Sequence, residues 1–201
     1  MNTLLILYPA LFSCQSKFVR KLERITHNLT SFAVVHKGDP REFIVDLFED
    51  DGRVLDINEI EDLDAAPITH AVVFDDGEEF AEARAWLAEQ AIPMRWIKIS
   101  ITRIVNIKRN PEYQRAPNSS TYEYIGRGSY WGNPHSMYEE GEPREEVIRK
   151  YRYDFEHNKF INIDPSRVHE LAGKRLGCFC APASCHGDVL AEFLNGFDDG
   201  K

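Results

Sequence analysis

Three of the four cysteines and one histidine fall within nine residues, as Cys178, Cys180, Cys185 and His186, with Asp188 two positions on. Two chemistries fit that grouping. Thiolates and imidazole are good zinc ligands, and zinc accepts a Cys₃His set. The spacing C-x-C-x₄-C-H is not that of a standard finger or ribbon, and adjacent Cys185 and His186 would have to turn toward one point. Alternatively, Cys185 is a nucleophile, with His186 and Asp188 as proton carriers. A thiol at a helix start beside a histidine is activated by the dipole and by a neighbouring base. The bland alternative makes Cys178 and Cys180 small core residues, with His186 and Asp188 as caps.

A second group precedes the first. The run Gly126-Arg127-Gly128-Ser129-Tyr130-Trp131-Gly132-Asn133-Pro134 holds three glycines in seven residues. Glycine tolerates positive φ and lets backbone approach a ligand. Successive N–H groups in such a loop can cradle an anion. Arg127 adds a planar fork suited to phosphate, and Trp131 offers a stacking face for a base. The expected ligand-binding set is Gly126, Arg127, Gly128, Ser129, Trp131 and Asn133. Against it stands a tight turn in which Trp131 plugs the core and Arg127 pairs with an acid.

The elements that must position these groups follow from periodicity. The apolar stretch Lys174–Cys180 reads as a strand, which puts Cys178 and Cys180 on one face. A turn leads to a helix opening at Cys185-His186 and carrying Val189, Leu190, Phe193 and Leu194 on its apolar side. The run from Tyr122 to Ile125 reads as the strand feeding the glycine loop. Pro143 starts a helix with Glu145 and Glu146 in its first turn and Val147, Ile148, Tyr151 and Phe155 as its buried stripe; no chemistry is assigned to it.

Residues 1–100 repeat a different pattern. Short apolar runs at 3–8, 31–36, 53–57, 68–74 and 92–101 alternate with amphipathic segments around Phe18-Leu22-Ile25, Phe43-Leu47 and Phe80-Leu87. Asp39-Pro40 reads as an N-cap followed by proline at the first helical position. Strands alternating with helices imply parallel βαβ units. The expected fold class is α/β, a Rossmann-like parallel sheet over 1–100 followed by a second small α/β unit over 101–201. In such sheets ligands gather beyond the carboxyl ends of the strands, which places the loops at 9–16, 36–39 and 75–77 in view. Asp75 and Asp76 read as turn and capping residues. Neither a G-x-G-x-x-G nor a P-loop pattern is present, so dinucleotide or ATP binding through those motifs is unsupported.

The charge is unevenly shared. Residues 1–100 carry 10 Lys and Arg against 18 Asp and Glu, a net of −8, whereas residues 101–201 carry 14 against 15; the whole chain is −9. Phosphate neutralisation drives sequence-independent DNA binding, so the acidic balance argues against broad duplex nucleic-acid binding, while a local phosphate pocket in the second half stays open. The longest apolar run, Leu4 to Phe12, contains Pro9 and is far short of the roughly 20 residues of a membrane helix. Four cysteines and no basic leader point to a reducing cytoplasm.

The segment from about Ile104 to Asn195 resembles the phage and bacterial family catalogued as domain of unknown function 4326. The resemblance rests on Val105-Asn106-Ile107, Tyr124-Ile125-Gly126-Arg127-Gly128-Ser129, Trp131-Gly132-Asn133-Pro134, Arg144-Glu145-Glu146-Val147-Ile148, and Gly177-Cys178-Phe179-Cys180 with Pro182 and Cys185-His186-Gly187-Asp188. It implies that the Arg127 loop and the Cys/His cluster belong to one site, and by association with phage genomes it points to nucleotide metabolism in a bacterial or phage-infected cell. The expectation is an enzyme directed at a nucleotide or nucleobase derivative, with glycosidic transfer or hydrolysis as the reaction class. The alternative is a zinc-stapled module that binds a nucleotide or a protein partner.

Overall fold

The computed structural model describes residues 2–135 and 141–200. It divides into two units, residues 1–99 with 196–201 and residues 100–195.

The first unit is an α/β fold built on a five-stranded sheet. Strands β1 (Asn2–Leu7), β2 (Phe32–His36), β3 (Val54–Glu59), β4 (His70–Asp75) and β5 (Met94–Lys98) are all parallel, in the order β3-β2-β1-β4-β5. β1, β2 and β4 are buried almost throughout, as expected of parallel strands covered on both faces. The edges β3 and β5 alternate between exposed and half-buried. Helices α1 (Gln15–Thr26), α2 (Phe43–Phe48) and α3 (Ala81–Glu89) supply the crossovers. The order reverses at β1, the position where Rossmann-like sheets open a crevice.

Aromatic packing occupies that edge. Tyr8 stacks on Phe43 with ring centres 5.6 Å apart, and Phe12 stacks on Phe74 at 5.3 Å. The Tyr8 hydroxyl donates to Asp39 Oδ1 and accepts from the Arg41 N–H. Asp39 also accepts from the N–H groups of Ile44 and Val45, so it does cap α2. The proline reading is corrected, however: Glu42 takes a left-handed φ of 59° and the helix starts at Phe43, three residues after Pro40. The carboxylate spans that turn rather than sitting one residue before the helix. Asp76 accepts from the N–H groups of Glu78 and Glu79, as a turn residue does. Asp198 and Asp199 pair with Arg20 and Lys17 of α1.

The second unit is a three-stranded parallel sheet, β6 (Arg103–Asn106), β7 (Tyr122–Tyr124) and β8 (Arg175–Cys178), in the order β6-β8-β7. Helices α4 (Arg144–Glu156) and α5 (His186–Gly196) lie against it. Tyr151 and Phe155 of α4, Val189, Leu190 and Leu194 of α5, and Leu176 of β8 share one core with Ile125 and Trp131. Asn195 ties the end of α5 to the start of β6, accepting from the Thr102 N–H at 2.8 Å and donating to its carbonyl at 3.1 Å. No helix among the described residues is long and apolar enough to cross a membrane.

Candidate functional site

The second unit holds a cavity of about 410 Å³ between the ends of β7 and β8 and the starts of α4 and α5. Gly126, Arg127, Asn133, Cys178, Cys180, Cys185 and His186 all line it. Two groups far apart in sequence thus meet because β7 and β8 are adjacent parallel strands whose carboxyl ends open on the same side. Gly128, Ser129, Trp131 and Asp188 do not line it.

The glycine loop is a pair of tight turns. The Ser129 N–H donates to the Gly126 carbonyl and the Gly132 N–H to the Ser129 carbonyl. Those two donors are spent within the loop, so they form no anion cradle. Gly128 has a φ of +83°, which favours glycine. A Cβ at Gly132 would stand 2.7 Å from the Gly126 carbonyl oxygen. The Ser129 hydroxyl is enclosed with no hydrogen-bond partner. Trp131 is only 2% exposed and belongs to the core, so it offers no face to a ligand. Its carbonyl accepts from the buried Tyr151 hydroxyl at 3.0 Å, which pins the loop to α4. Burial pushes the Tyr151 hydroxyl pKa up and keeps it a neutral donor. Asn133 is a second tie: it donates to the Val147 carbonyl at 3.0 Å and accepts from the His135 N–H at 2.9 Å.

An exposed ring is present elsewhere in the wall. Phe179, between the two cysteines, is 49% exposed, and Lys108 Nζ lies 5.5 Å from its centre. Lys108 and Arg144 also line the cavity and were not singled out by sequence reasoning. With Arg127 they make three cations, and no carboxylate is in the wall among the described residues. The basic residues after Asn106 and the Arg-Glu-Glu start of α4 were visible in the sequence; what was missing was the knowledge that both face the cysteines.

The sulfurs are organised by a buried amide. Strand β8 ends at Cys178, so Cys180 lies just beyond the strand rather than within it. Asn106 at the end of β6 donates to the carbonyls of Phe179 and Ala181 and accepts from the N–H groups of Lys108 and Arg109. That fixes the turn carrying Cys180. Cys178 Sγ donates to Cys185 Sγ at 3.5 Å, and the Cys180 N–H donates to Cys178 Sγ at 3.1 Å. Contacts with the Cys178 and Cys185 sulfurs, joined by the Arg144 guanidinium, push the Cys180 thiol pKa down. The same contacts push Cys185 up, with burial adding to them. These opposite directions make Cys180, rather than the Cys185 expected as nucleophile, the more readily ionised of the two thiols; Cys185 is buried and accepts from Cys178 Sγ.

His186 turns Nε2 to the Ile125 carbonyl at 2.8 Å. A carbonyl only accepts, so Nε2 carries the proton and Nδ1 is the basic nitrogen. Burial lowers the imidazole pKa. The ring packs against Tyr151, centres 4.9 Å apart. Asp188 Oδ2 accepts from the Cys185 N–H at 2.7 Å, and its own N–H returns to the Cys185 carbonyl. That is a reciprocal cap on α5, the capping alternative for Asp188, which does not line the cavity. Among the described residues no group of three or more His, Cys, Asp and Glu is arranged to hold a metal ion, so the Cys178, Cys180, Cys185 and His186 zinc reading gains no support from the geometry.

Comparison with known proteins agrees with this division. Residues 1–105 match the minimal SLOG domain, a Rossmann-like fold associated with nucleotide-related function. Residues 105–196 match the domain of unknown function 4326. A 72-residue stretch is 38% identical to an Enterobacteria phage T4 protein described as an uncharacterized 12.4 kDa protein in the nrdA-td intergenic region. That stretch is 35% of this chain and 65% of the phage protein, so the chain spans just under two thirds of its relative's length. No solved structure matches the chain. The sequence marks the first half only as generically Rossmann-like; the match over residues 1–105 shows that the chain belongs to the minimal SLOG family.

Proposed function

We propose that the second unit is an enzyme site for the phosphate-bearing end of a nucleotide or nucleobase derivative. The observation that carries this reading is the convergence of Lys108, Arg127 and Arg144 with Cys180 and His186 on one cavity of about 410 Å³. Clustered cations in a concave wall concentrate anionic ligands, and arginine forks match phosphate oxygens. The exposed ring of Phe179 takes the stacking role that Trp131 cannot.

The chemistry that fits is transfer or hydrolysis at a glycosidic carbon. The attacking water or hydroxyl gives its proton to His186 Nδ1 as its oxygen bonds to the sugar carbon. The base departs with the electron pair of the broken bond. Positive charge develops on the sugar in such a transition state, and Cys180, ionised, would offset it. The association of minimal SLOG domains with nucleotides supports the same substrate class.

The test is a thermal-shift and calorimetric screen of the full chain against nucleoside monophosphates, nucleotide sugars and dinucleotides, with each parent nucleoside as control. At least one phosphorylated ligand is expected to raise the midpoint by mass action, and Arg127→Ala is expected to weaken it about tenfold or more, the size of one charge-assisted hydrogen bond. Equal binding of nucleoside and nucleotide, or an indifferent Arg127→Ala, refutes the phosphate role. Chromatography of the bound ligand after incubation reads base release, which His186→Ala should abolish.

A further inference from the structure

The first unit has a cavity of its own, of about 460 Å³, along one face of its sheet. One wall is the second half of α1 and the turn after it, with Lys21, Arg24, Ile25 and Asn28; the other is residues 95–97 of the outer strand β5. Side chains alternate along a strand. Met94 and Trp96 pack with Leu87 of α3, which turns Arg95 and Ile97 to the opposite face, toward α1. Trp96 is fixed in that register: its Nε1 donates to Asp75 Oδ2 at 2.9 Å, and the Arg84 guanidinium lies 4.9 Å from its ring centre. The crevice at the carboxyl edge of the sheet is elsewhere, because α1 starts from that edge at Gln15 and Lys21 to Asn28 are its far half.

The charge of this wall runs against the charge around it. Residues 1–100 hold 18 Asp and Glu against 10 Lys and Arg, yet three of those ten cations meet here, with no carboxylate in the wall among the described residues. Lys17 and Arg20, on the same helix, pair with Asp199 and Asp198. Lys21, Arg24 and Arg95 take no ion pair among the described residues. The helix dipole favours a cation in the last turn and accounts for Arg24. It does not account for Arg95, which reaches the same cavity from a strand. Like charges held together repel one another, and an anion seated among them relieves the repulsion.

We infer that this groove is a binding site for a small ligand that carries clustered phosphates. Arg24 and Arg95 offer planar forks from facing walls, matched to phosphate oxygens. Lys21 adds a point charge and the Asn28 amide a neutral donor. Ile25 and Ile97 supply apolar wall beside them, where charged contacts are less screened than in open water. A long polyanion suits the groove less well. Its flanking phosphates would run over the acidic remainder of the unit, whereas binding of a polymer depends on many neutralised phosphates.

The probe is inorganic triphosphate, titrated calorimetrically into the full chain at fixed ionic strength. Triphosphate is expected to bind more tightly than inorganic phosphate. Arg24→Gln and Arg95→Gln should each weaken it about tenfold or more, the size of a charge-assisted hydrogen bond. Lys37→Gln, an equal loss of charge at an exposed residue outside the groove, should leave it unchanged, and so should Arg127→Ala in the second unit. Arg24→Lys and Arg95→Lys keep the charge and lose only the fork; they should weaken binding less, and they repeat the test if a glutamine variant does not fold. Adenosine triphosphate bound more tightly through the same residues assigns the phosphates to a nucleotide, and equal binding assigns recognition to the phosphates alone. The inference is overturned if triphosphate does not bind, if Arg24→Gln and Arg95→Gln leave its binding unchanged, or if Lys37→Gln or Arg127→Ala abolishes it. A single-stranded oligonucleotide that binds more tightly than triphosphate through Arg24 and Arg95 overturns the choice of a small ligand.

Discussion

Replacing Arg144 with glutamine should raise the pH at which Cys180 becomes reactive. The guanidinium is one of the groups that lower the Cys180 thiol pKa, after the Cys178 and Cys185 sulfurs. A unit charge about 4 Å from another interacts by about 4 kcal/mol at an effective dielectric constant near 20. Cys180 is only half-buried, so solvent screening reduces that, to roughly the 1.5–3 kcal/mol of a charged hydrogen bond. At about 1.4 kcal/mol per pKa unit, the variant's midpoint should rise by about one to two units. Glutamine retains a donor for the Ser184 carbonyl, which Arg144 Nη1 reaches at 3.1 Å. The assay is the rate of iodoacetamide modification of Cys180, read by peptide mass from about pH 3 to 9. Arg149→Gln, which loses only an exposed pair with Glu146, is the control and should not move. An unshifted midpoint, or Cys185 as the residue alkylated at low pH, would refute the assignment of the thiolate.

Three further outcomes follow from the same geometry. Asn106→Ala removes four hydrogen bonds around the Cys180 turn; at about 1 kcal/mol or less each it should cost roughly 2–4 kcal/mol in urea denaturation and also slow Cys180 alkylation. Asp188→Asn weakens the cap on α5 and should lower stability by about 0.5–2 kcal/mol while leaving the Cys180 reactivity profile unchanged; loss of ligand turnover with unchanged stability would instead restore it as a proton carrier. His186, whose pKa burial lowers, takes up its proton more readily in the unfolded chain, so stability should fall as pH drops below about 6.5; thermal melts at pH 7.5 and 5.5 read this, and His186→Gln should flatten that part of the slope.

Hydrophobic periodicity was sufficient for the elements. The apolar runs of the first half map onto β1 to β5, since a parallel strand covered on both faces must be apolar along its length. The stripe Val147, Tyr151 and Phe155 is the buried face of α4. Members of the glycine loop and of the Cys/His cluster do line one cavity. Roles within that neighbourhood were not legible. Trp131 and Asp188 have the side chains of a stacking face and a proton carrier, yet one fills the core and the other caps a helix. Local sequence specifies what a side chain can do; the direction it faces depends on what packs behind it.

The sequence by itself determined that two α/β units follow one another and that the clustered thiols and the glycine-arginine loop lie in the second. Only the tertiary structure decided which groups surround each sulfur. Cys178, Cys180 and Cys185 are equivalent as residues, and a thiol's ionisation is set by burial and by the donors around it. Those donors, two thiols and Arg144, come from β8, the start of α5 and the start of α4, segments that only the folding of the second unit brings to one cavity wall.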